Sequence, residues 1–402
     1  METFLLYLAI AILFFSASFG IELAFGNRSI PFLKDASPSK KWPLPKVSII
    51  IPARNEEKEI QKALRSILAQ DYENFQIIVV NDRSTDQTGA ILGQMAQADS
   101  ILQIVHVEEL PHGWLGKNYA LSCGVQQAIG EFFLFTDADV VMEQTTVSRA
   151  VRYMVDQQLD HIAIAPEVRM PGILLEMFAG AFGISLSLYT RPWKAKNPKS
   201  GRYVGIGAFN LVRADAYRAV GTHQAIATRP DDDLKLGKLI KLKGYRQKPL
   251  FGKQMLYVEW YSSLRELIDG LMKNAFAGAD YRISKVVAAS IALFTFNVWP
   301  FLGLFLTHGV TQIINFIIVG LIFFLCFDTA QFHGVKRWCG IGFPIATLLF
   351  IYIMWRAMMT TICNNGIKWR GTHYSLAELK ANRVENWKQK RRVDGGGTYT
   401  AD

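Results

Sequence analysis

Val-Ser-Ile-Ile-Ile-Pro-Ala-Arg-Asn-Glu, residues 47–56, sets the reading of this chain. A short apolar run closes on a polar cluster, the pattern of a strand buried on both faces that delivers polar groups at its C-terminal end. Working outward, residues 57–70 have helical spacing and 76–80 form a second strand-like run. Residues 86–98 read as a helix, 102–107 as a strand, 117–129 as a helix and 132–136 as a strand, with 161–165 a further strand after another helix. Strands alternating with helices predict βαβ units, an α/β fold class and a mostly parallel central sheet.

The chain has 402 residues, enough for one large domain or two ordinary ones plus membrane segments. Its net charge of +10 suits an anionic lipid or a phosphate-bearing ligand. No compact Lys/Arg block interleaved with aromatics occurs in the middle, so nucleic acid is not expected as a partner. The basic residues crowd beside apolar segments, as they do next to an anionic leaflet. Cys123, Cys326, Cys339 and Cys363 form no CxxC pair, which argues against a disulfide framework or a zinc site.

Residues 4–25 are almost wholly apolar and long enough to span a bilayer. The acidic start and the absence of a small-x-small cleavage site favour an anchor over a signal peptide. Arg28, Lys34, Lys40, Lys41 and Lys46 follow the stretch, which places the N-terminus outside and the middle of the chain in the cytoplasm. The expected division is an anchor over 1–26, a linker over 27–45 and an α/β domain over 46–283. Membrane segments over 284–361 and a basic tail over 362–402 follow. Residues 172–189 fit either an interfacial or a buried helix. If all three apolar runs after residue 286 crossed, the basic tail would lie outside, against the charge rule. One of them is therefore expected to be re-entrant or interfacial.

Three strand ends carry the polar chemistry. Asp137 and Asp139 are two apart after an apolar strand; in extended chain both carboxylates share one side. Two like charges so placed favour a cation, and magnesium or manganese takes such oxygen ligands together with phosphates. A solvated turn gives the same spacing. Asp82 either caps the following segment or accepts hydrogen bonds from a base or ribose. Lys117 follows Gly113-Trp114-Leu115-Gly116 at a predicted helix start, a position that favours phosphate, although a solvent-facing lysine fits too. Asp231-Asp232-Asp233 opens another amphipathic run; capping explains at least one of the three, and a carboxylate beside a diphosphate can serve as a general base. The histidines are dispersed without metal spacing.

Taken together, SIIIPARNEE (48–57), VVNDRSTDQT (79–88), GWLGKNYAL (113–121), FTDADV (135–140) and PDDDLKLGKLIKLKGYR (230–246) resemble family 2 glycosyltransferases, over about residues 46–283. Within that family the chain resembles bacterial lipid-modifying members such as the carotenoid and hopene-associated enzymes, including IKWRGTHYS at 367–375. The resemblance implies the GT-A nucleotide-sugar-binding fold with N-terminal and C-terminal transmembrane helices. Pro52, Ala53, Asn55 and Glu56 would line the nucleotide pocket, with Asp82 at the uracil or ribose and Lys117 near the nucleotide. Asp137 would face ribose or sugar, Asp139 would bind the divalent metal, and Asp233, next to Asp232, would be the base.

The Gln-x-x-Arg-Trp signature of processive members is absent; the comparable stretch is Leu271-Met272-Lys273-Asn274-Ala275-Phe276. Single, inverting transfer from a nucleotide-diphosphate sugar, uridine rather than guanosine, to a membrane lipid is the expected activity, on a multi-pass protein of the cell membrane. A polyisoprenyl-phosphate sugar transferase and a non-catalytic scaffold keeping the fold are the alternatives.

Overall fold

The computed structural model describes residues 2–36, 45–369 and 372–381. The strands are β1 Val47–Ala53, β2 Phe75–Asp82, β3 Leu102–Val107, β4 Phe132–Phe135, β5 Val141–Met142, β6 His161–Ala165, β7 Glu167–Arg169, β8 Asn210–Arg213, β9 Gln247–Phe251, β10 Leu256–Glu259, β11 Gly366–Trp369 and β12 Thr372–Ser375. The main sheet has the order β3-β2-β1-β4-β8-β6-β9. β8 alone runs antiparallel to its neighbours, and every other pairing in this sheet is parallel. A short antiparallel strand inside a parallel sheet was not legible in the sequence, because the four residues Asn210-Leu211-Val212-Arg213 carry no sign of their direction.

The period-two alternation of β1 explains the continuous apolar run. Ile49 and Ile51 join Ile77, Val79 and Leu134 under the helices Ile60–Leu68 and Thr146–Asp156. Ile50 joins Ile78, Val80 and Phe133 on the opposite face, under Ala120 and Leu121 of the helix Gly116–Gln126. Both faces are covered, so no strand residue needs to be polar. A Cβ on Gly124 would come within 2.5 Å of Ile50 Cγ2, so this helix lies directly on the sheet. The chain runs from β1 outward to β2 and β3 and then returns to β4 on the other side of β1. The strand ends of β1 and β4 thus flank the switch point, where open α/β sheets bind ligands.

Among the described residues, four helices are long and apolar enough to cross a membrane: Glu2–Arg28, Ile173–Lys194, Gly309–His333 and Arg337–Cys363. Ile283–Asn297 and Trp299–Leu306 form a further pair, bent by 48°. The N-terminal helix pairs with Gly309–His333, held by a two-pronged ion pair from Arg28 to Asp328 at 2.6 and 2.8 Å. The helix Phe343–Cys363 is tied to the α/β domain at both ends. At its start Gly342 abuts Met177, and Lys336 nearby pairs with Glu176 at 2.8 Å. Beyond its end the hairpin β11–β12 and the helix Leu376–Ala381 fold back, burying Ile367, Tyr374 and Leu379 beside Leu115, Phe276 and Tyr281. The Glu378 side chain meets His112 at 2.9 Å, and its carbonyl accepts from the Thr228 hydroxyl at 3.2 Å.

Candidate active site

The loop after β1 and the loop after β2 are knitted together. Asn55 sits at φ 56°, in the left-handed region that asparagine tolerates. Its amide NH donates to Ser84 Oγ at 3.1 Å, and its side-chain oxygen accepts from the Thr85 NH at 2.8 Å. The Glu56 NH donates to Thr88 Oγ1 at 2.8 Å, and the Glu57 NH to Asp86 at 3.2 Å. Burial pushes the Asp86 carboxyl up, but hydrogen bonds from the Thr88 hydroxyl and from backbone NH groups hold it below its ordinary range.

Asp82 does not cap: the next helix begins only at Thr88. Its buried carboxylate is held by Arg83 at 2.7 and 3.1 Å and by Arg54 at 3.6 Å. A Cβ on Gly116 would fall 2.4 Å from Asp82 Oδ2, so the glycine lets the Lys117 helix start against this carboxylate.

Asp137 and Asp139 leave the strand. β4 ends at Phe135; Asp137 lies outside the strand and Asp139 lies in a turn, so the one-sided spacing of a continuous strand does not apply. They remain neighbours nonetheless. Asp137 pairs with Lys117 at 2.8 Å, and Lys117 also reaches Asp232 at 3.7 Å. Asp139 is turned inward. Burial, then the charges of Asp137 and Glu56, push its carboxyl up to about 7. Its Oδ1 is buried with no hydrogen-bond partner among the described residues.

The three-acid run separates by role. Asp231 is consumed by Arg229, at 2.8 and 3.0 Å, and by Lys235 at 3.1 Å. It stands at the N-cap position of the helix Asp232–Leu242 but makes no side-chain cap, so the capping expectation fails there. The ion pairs take the oxygens that a cap would need. Asp232 and Asp233 point instead into a cleft lined by Pro52, Lys117, Thr136, Asp137, Gly207, Asn210 and His223. Asp233 accepts from the Gly207 NH at 2.8 Å and the Leu234 NH at 2.7 Å. Burial and the Asp232 charge push Asp233 up to about 7, and burial raises Asp232 as well. Lys117 is pushed down by burial, but the three carboxylates more than reverse this and keep it an ammonium.

Pro52, Lys117, Asp137, Asp232 and Asp233 therefore share one cleft, Asp139 lies behind Asp137, and Asn55 and Asp82 shape the adjoining loops. The strand-end residue Ala53 is buried. Residues 201–207, His223 and Asn210 were missed. The signal was present in the glycines of Gly-Arg-Tyr-Val-Gly-Ile-Gly at 201–207. A Cβ on Gly207 would meet Asp137 Oδ2 at 2.7 Å, and one on Gly205 would meet the Asp233 backbone oxygen at 1.9 Å. His223 is buried and its ring meets the Tyr217 hydroxyl at 2.7 Å; burial, then the Lys117 charge, lowers its pKa to about 3 and keeps it neutral.

Fold and cleft define a class, the glycosyltransferases of the GT-A fold. Glycosyl transferase family 2 matches residues 48–221, and this chain is a glycosyltransferase carrying a family 2 domain. It is 25% identical over 348 residues to a 4,4'-diaponeurosporenoate glycosyltransferase of Staphylococcus aureus strain MRSA252, covering 83% of this chain and 89% of the relative. The same enzyme of strain USA300 is 25% identical over 346 residues, with the same coverage. In three dimensions the chain is similar to a mannosyltransferase from Pyrobaculum calidifontis solved with GDP-mannose and manganese. That match has a TM-score of 0.53 and 18% identity, and covers 87% of this chain and 99% of the other.

Proposed function

We propose that this protein transfers a sugar from a nucleotide-diphosphate sugar to a membrane lipid of carotenoid, hopanoid or glycolipid type, with inversion and with a divalent metal, at the cytoplasmic face. The observation that carries this is the convergence of Asp232, Asp233, Lys117 and Asp137 on one cleft beside apolar helices. The S. aureus relatives, whose name gives a carotenoid acid as substrate, support the lipid acceptor. The donor nucleotide is read as uridine on resemblance, although the P. calidifontis neighbour holds a guanosine sugar.

Asp233 takes the proton of the acceptor hydroxyl while the acceptor oxygen attacks the anomeric carbon from the face opposite the diphosphate. The bond from that carbon to the phosphate oxygen breaks, and the electron pair stays on the departing nucleoside diphosphate. A carboxyl acceptor arrives ionised and needs no base. Lys117 places an ammonium where that negative charge develops. Asp139 fits a metal: its Oδ1 is buried and unpartnered, and Asp137 and Glu56 crowd it with negative charge. No three His, Cys, Asp or Glu side chains among the described residues form a site by themselves, so a metal held by Asp139 would draw further ligands from the diphosphate and water. When bound, magnesium or manganese supplies positive charge to the diphosphate oxygens.

The catalytic domain is taken as residues 46–283, between the anchor at 1–26 with its 27–45 linker and the segments over 284–361. In this reading the first helix crosses with its N-terminus outside, and 283–306 with 309–333 return as a hairpin. The helices at 173–190 and 343–363 lie in the interface, because residues flanking both ends of each are tied to the catalytic domain. The segment 362–402, basic overall, then stays cytoplasmic, in agreement with the positive-inside rule. Incubating the full-length protein in nanodiscs with UDP- and GDP-sugars and a panel of carotenoid acid, hopanoid, ceramide, diacylglycerol and polyprenyl phosphate tests the reading. Transfer to a neutral or carboxylic lipid supports it. Transfer only to polyprenyl phosphate replaces it with the polyisoprenyl-phosphate enzyme, and transfer to none rejects it.

A further inference from the structure

The segment beyond the last apolar helix reads in sequence only as a basic tail, yet it folds back onto the loops that carry the charges of the cleft. Ser375-Leu376-Ala377-Glu378 is a capping box: Ser375 Oγ accepts from the Glu378 NH at 3.2 Å, and the Glu378 carboxylate accepts from the Ser375 NH at 3.0 Å. Those bonds hold the Glu378 carboxyl below its ordinary range. They start the helix Leu376–Ala381 directly after β12, and the Leu376 NH returns to the Asn365 carbonyl at 2.9 Å. The hairpin is seated on the helix Leu264–Gly278, with the Lys273 ammonium 4.3 Å from the Trp369 ring centroid.

Two loops meet this segment. The first runs into Gly116 and Lys117: Leu115 is fully buried in one cluster with Tyr374 and Leu379, and His112 reaches the Glu378 carboxylate at 2.9 Å. Burial raises the Tyr374 phenol, and hydrogen bonds from the Thr372 hydroxyl and the Gly116 NH oppose the rise. The second loop runs into Asp231, Asp232 and Asp233, and there the buried Thr228 donates its hydroxyl to the Glu378 carbonyl at 3.2 Å. The two loops are also stitched to each other. The Leu115 NH donates to the Ala227 carbonyl at 2.8 Å, and the buried Asn118 amide donates to the carbonyls of Ile226, Ala227 and Arg229 at 2.8, 3.0 and 2.9 Å.

We infer that Tyr374 and Thr228 are positioning residues of the donor site, acting through a clamp formed by the segment 374–379 that holds the Lys117 loop in register with the Asp232–Asp233 loop. The inference rests on the nucleotide-sugar reading above and gives the C-terminal segment a part in it. Lys117 stands 2.8 Å from Asp137 and 3.7 Å from Asp232, so a shift of one loop against the other changes where the ammonium sits. Three carboxylates draw on that ammonium, and a loop free to yield to them would close the space a diphosphate needs. A clamp anchored outside the cleft fixes the spacing before the ligand arrives, which is the condition for preorganised binding.

Isothermal titration of the full-length protein in nanodiscs, with uridine and guanosine diphosphate in the presence of manganese, tests this. Thr228→Val and Tyr374→Phe are each expected to weaken diphosphate binding by about tenfold, the size expected when one buried hydrogen bond is lost. Thr228→Ser keeps the hydroxyl and should stay within about twofold of wild type. The same two variants are then made in a Lys117→Ala protein, where they should weaken binding no further, because residues that act through one another do not add. Unchanged diphosphate affinity in both Thr228→Val and Tyr374→Phe overturns the inference. So does an equal loss with and without Lys117, since a fold weakened in general acts independently of that ammonium. If Thr228→Val does not fold, Tyr374→Phe, which keeps the buried ring, decides alone. If the wild-type protein binds neither diphosphate, the nucleotide-sugar reading itself has failed, a result separate from any behaviour of the variants.

Discussion

Two acidic loop systems sit at the C-terminal end of the same sheet and are held in opposite ways. In the loops after β1 and β2 the Asp86 carboxylate accepts from the Glu57 and Thr88 NH groups and is held below its ordinary range. In the loops carrying Asp139 and Asp233 the carboxylates are buried against one another, and both are pushed up to about 7. The first system is a finished frame that needs no ligand to be stable. The second stores repulsion that a cation and a bound substrate relieve, which is how a site that handles charged ligands is expected to look in their absence.

The largest break in this contrast comes from Asp233. Asp233→Asn should lower kcat about a thousandfold with a hydroxyl acceptor, within the usual range for loss of a general base, while nucleoside diphosphate still binds by titration calorimetry. With the wild-type protein, kcat/KM should fall about tenfold per pH unit below about 7, because the base must be ionised and its carboxyl is raised to that value. A profile flat from pH 5.5 to 8 would remove Asp233 from that role. A carboxylic acceptor should shift less in both experiments.

Gly207→Ala tests how tightly the cleft is closed. The new Cβ would press on Asp137 Oδ2 and on Lys117 Nζ, 2.7 and 3.3 Å away, and one partner has to move. A rise of about tenfold in donor KM is expected, from misplacement of a single charged contact. An unchanged KM would show that the Lys117–Asp137 pair is not part of the donor site.

Asp139→Asn carries the contrast into stability. The folded carboxyl is raised above its unfolded value, so its stabilising contribution is complete below pH 4 and is lost as pH rises through about 7. In chelator-treated protein at pH 8 the neutral amide should therefore raise the melting temperature by about 2–4 °C, with the gain fading toward pH 5. Adding manganese should reverse the order. A variant less stable than wild type at pH 8 without metal would contradict the stored repulsion.

The smallest effect is expected in the finished frame. Asn55→Ala removes one hydrogen bond to the Thr85 NH and places a Cβ-bearing residue at φ 56° without the asparagine's local compensation. A loss of about 1–2 kcal/mol in stability, read by urea unfolding of the soluble-facing domain signal, should leave kcat near wild type.

Much of the architecture was legible from the residues. Apolar runs at 47–52, 102–107 and 161–165 announce strands, and those strands form within a residue of the expected limits, although 102–107 is an edge strand with Gln103 and His106 exposed. The strand-end acids were visible as candidates for the same reason, since polar clusters after buried strands have nowhere else to go. Their pairing was not. Nothing in Asp231-Asp232-Asp233 tells which carboxylate Arg229 and Lys235 will consume, because that depends on helix phase and on Arg229 being buried.

Local patterning, then, determined the βαβ alternation, the apolar helices and the acidic candidates, because each is set by neighbours within a few residues along the chain. Only the folded chain decided that Lys117 lies between Asp137 and Asp232, that glycines at 205 and 207 admit Asp233, and that Trp369 comes back beneath Lys273. Those contacts join segments separated by tens to hundreds of residues. Their geometry is fixed by how helices pack on the sheet, which no single stretch of sequence encodes.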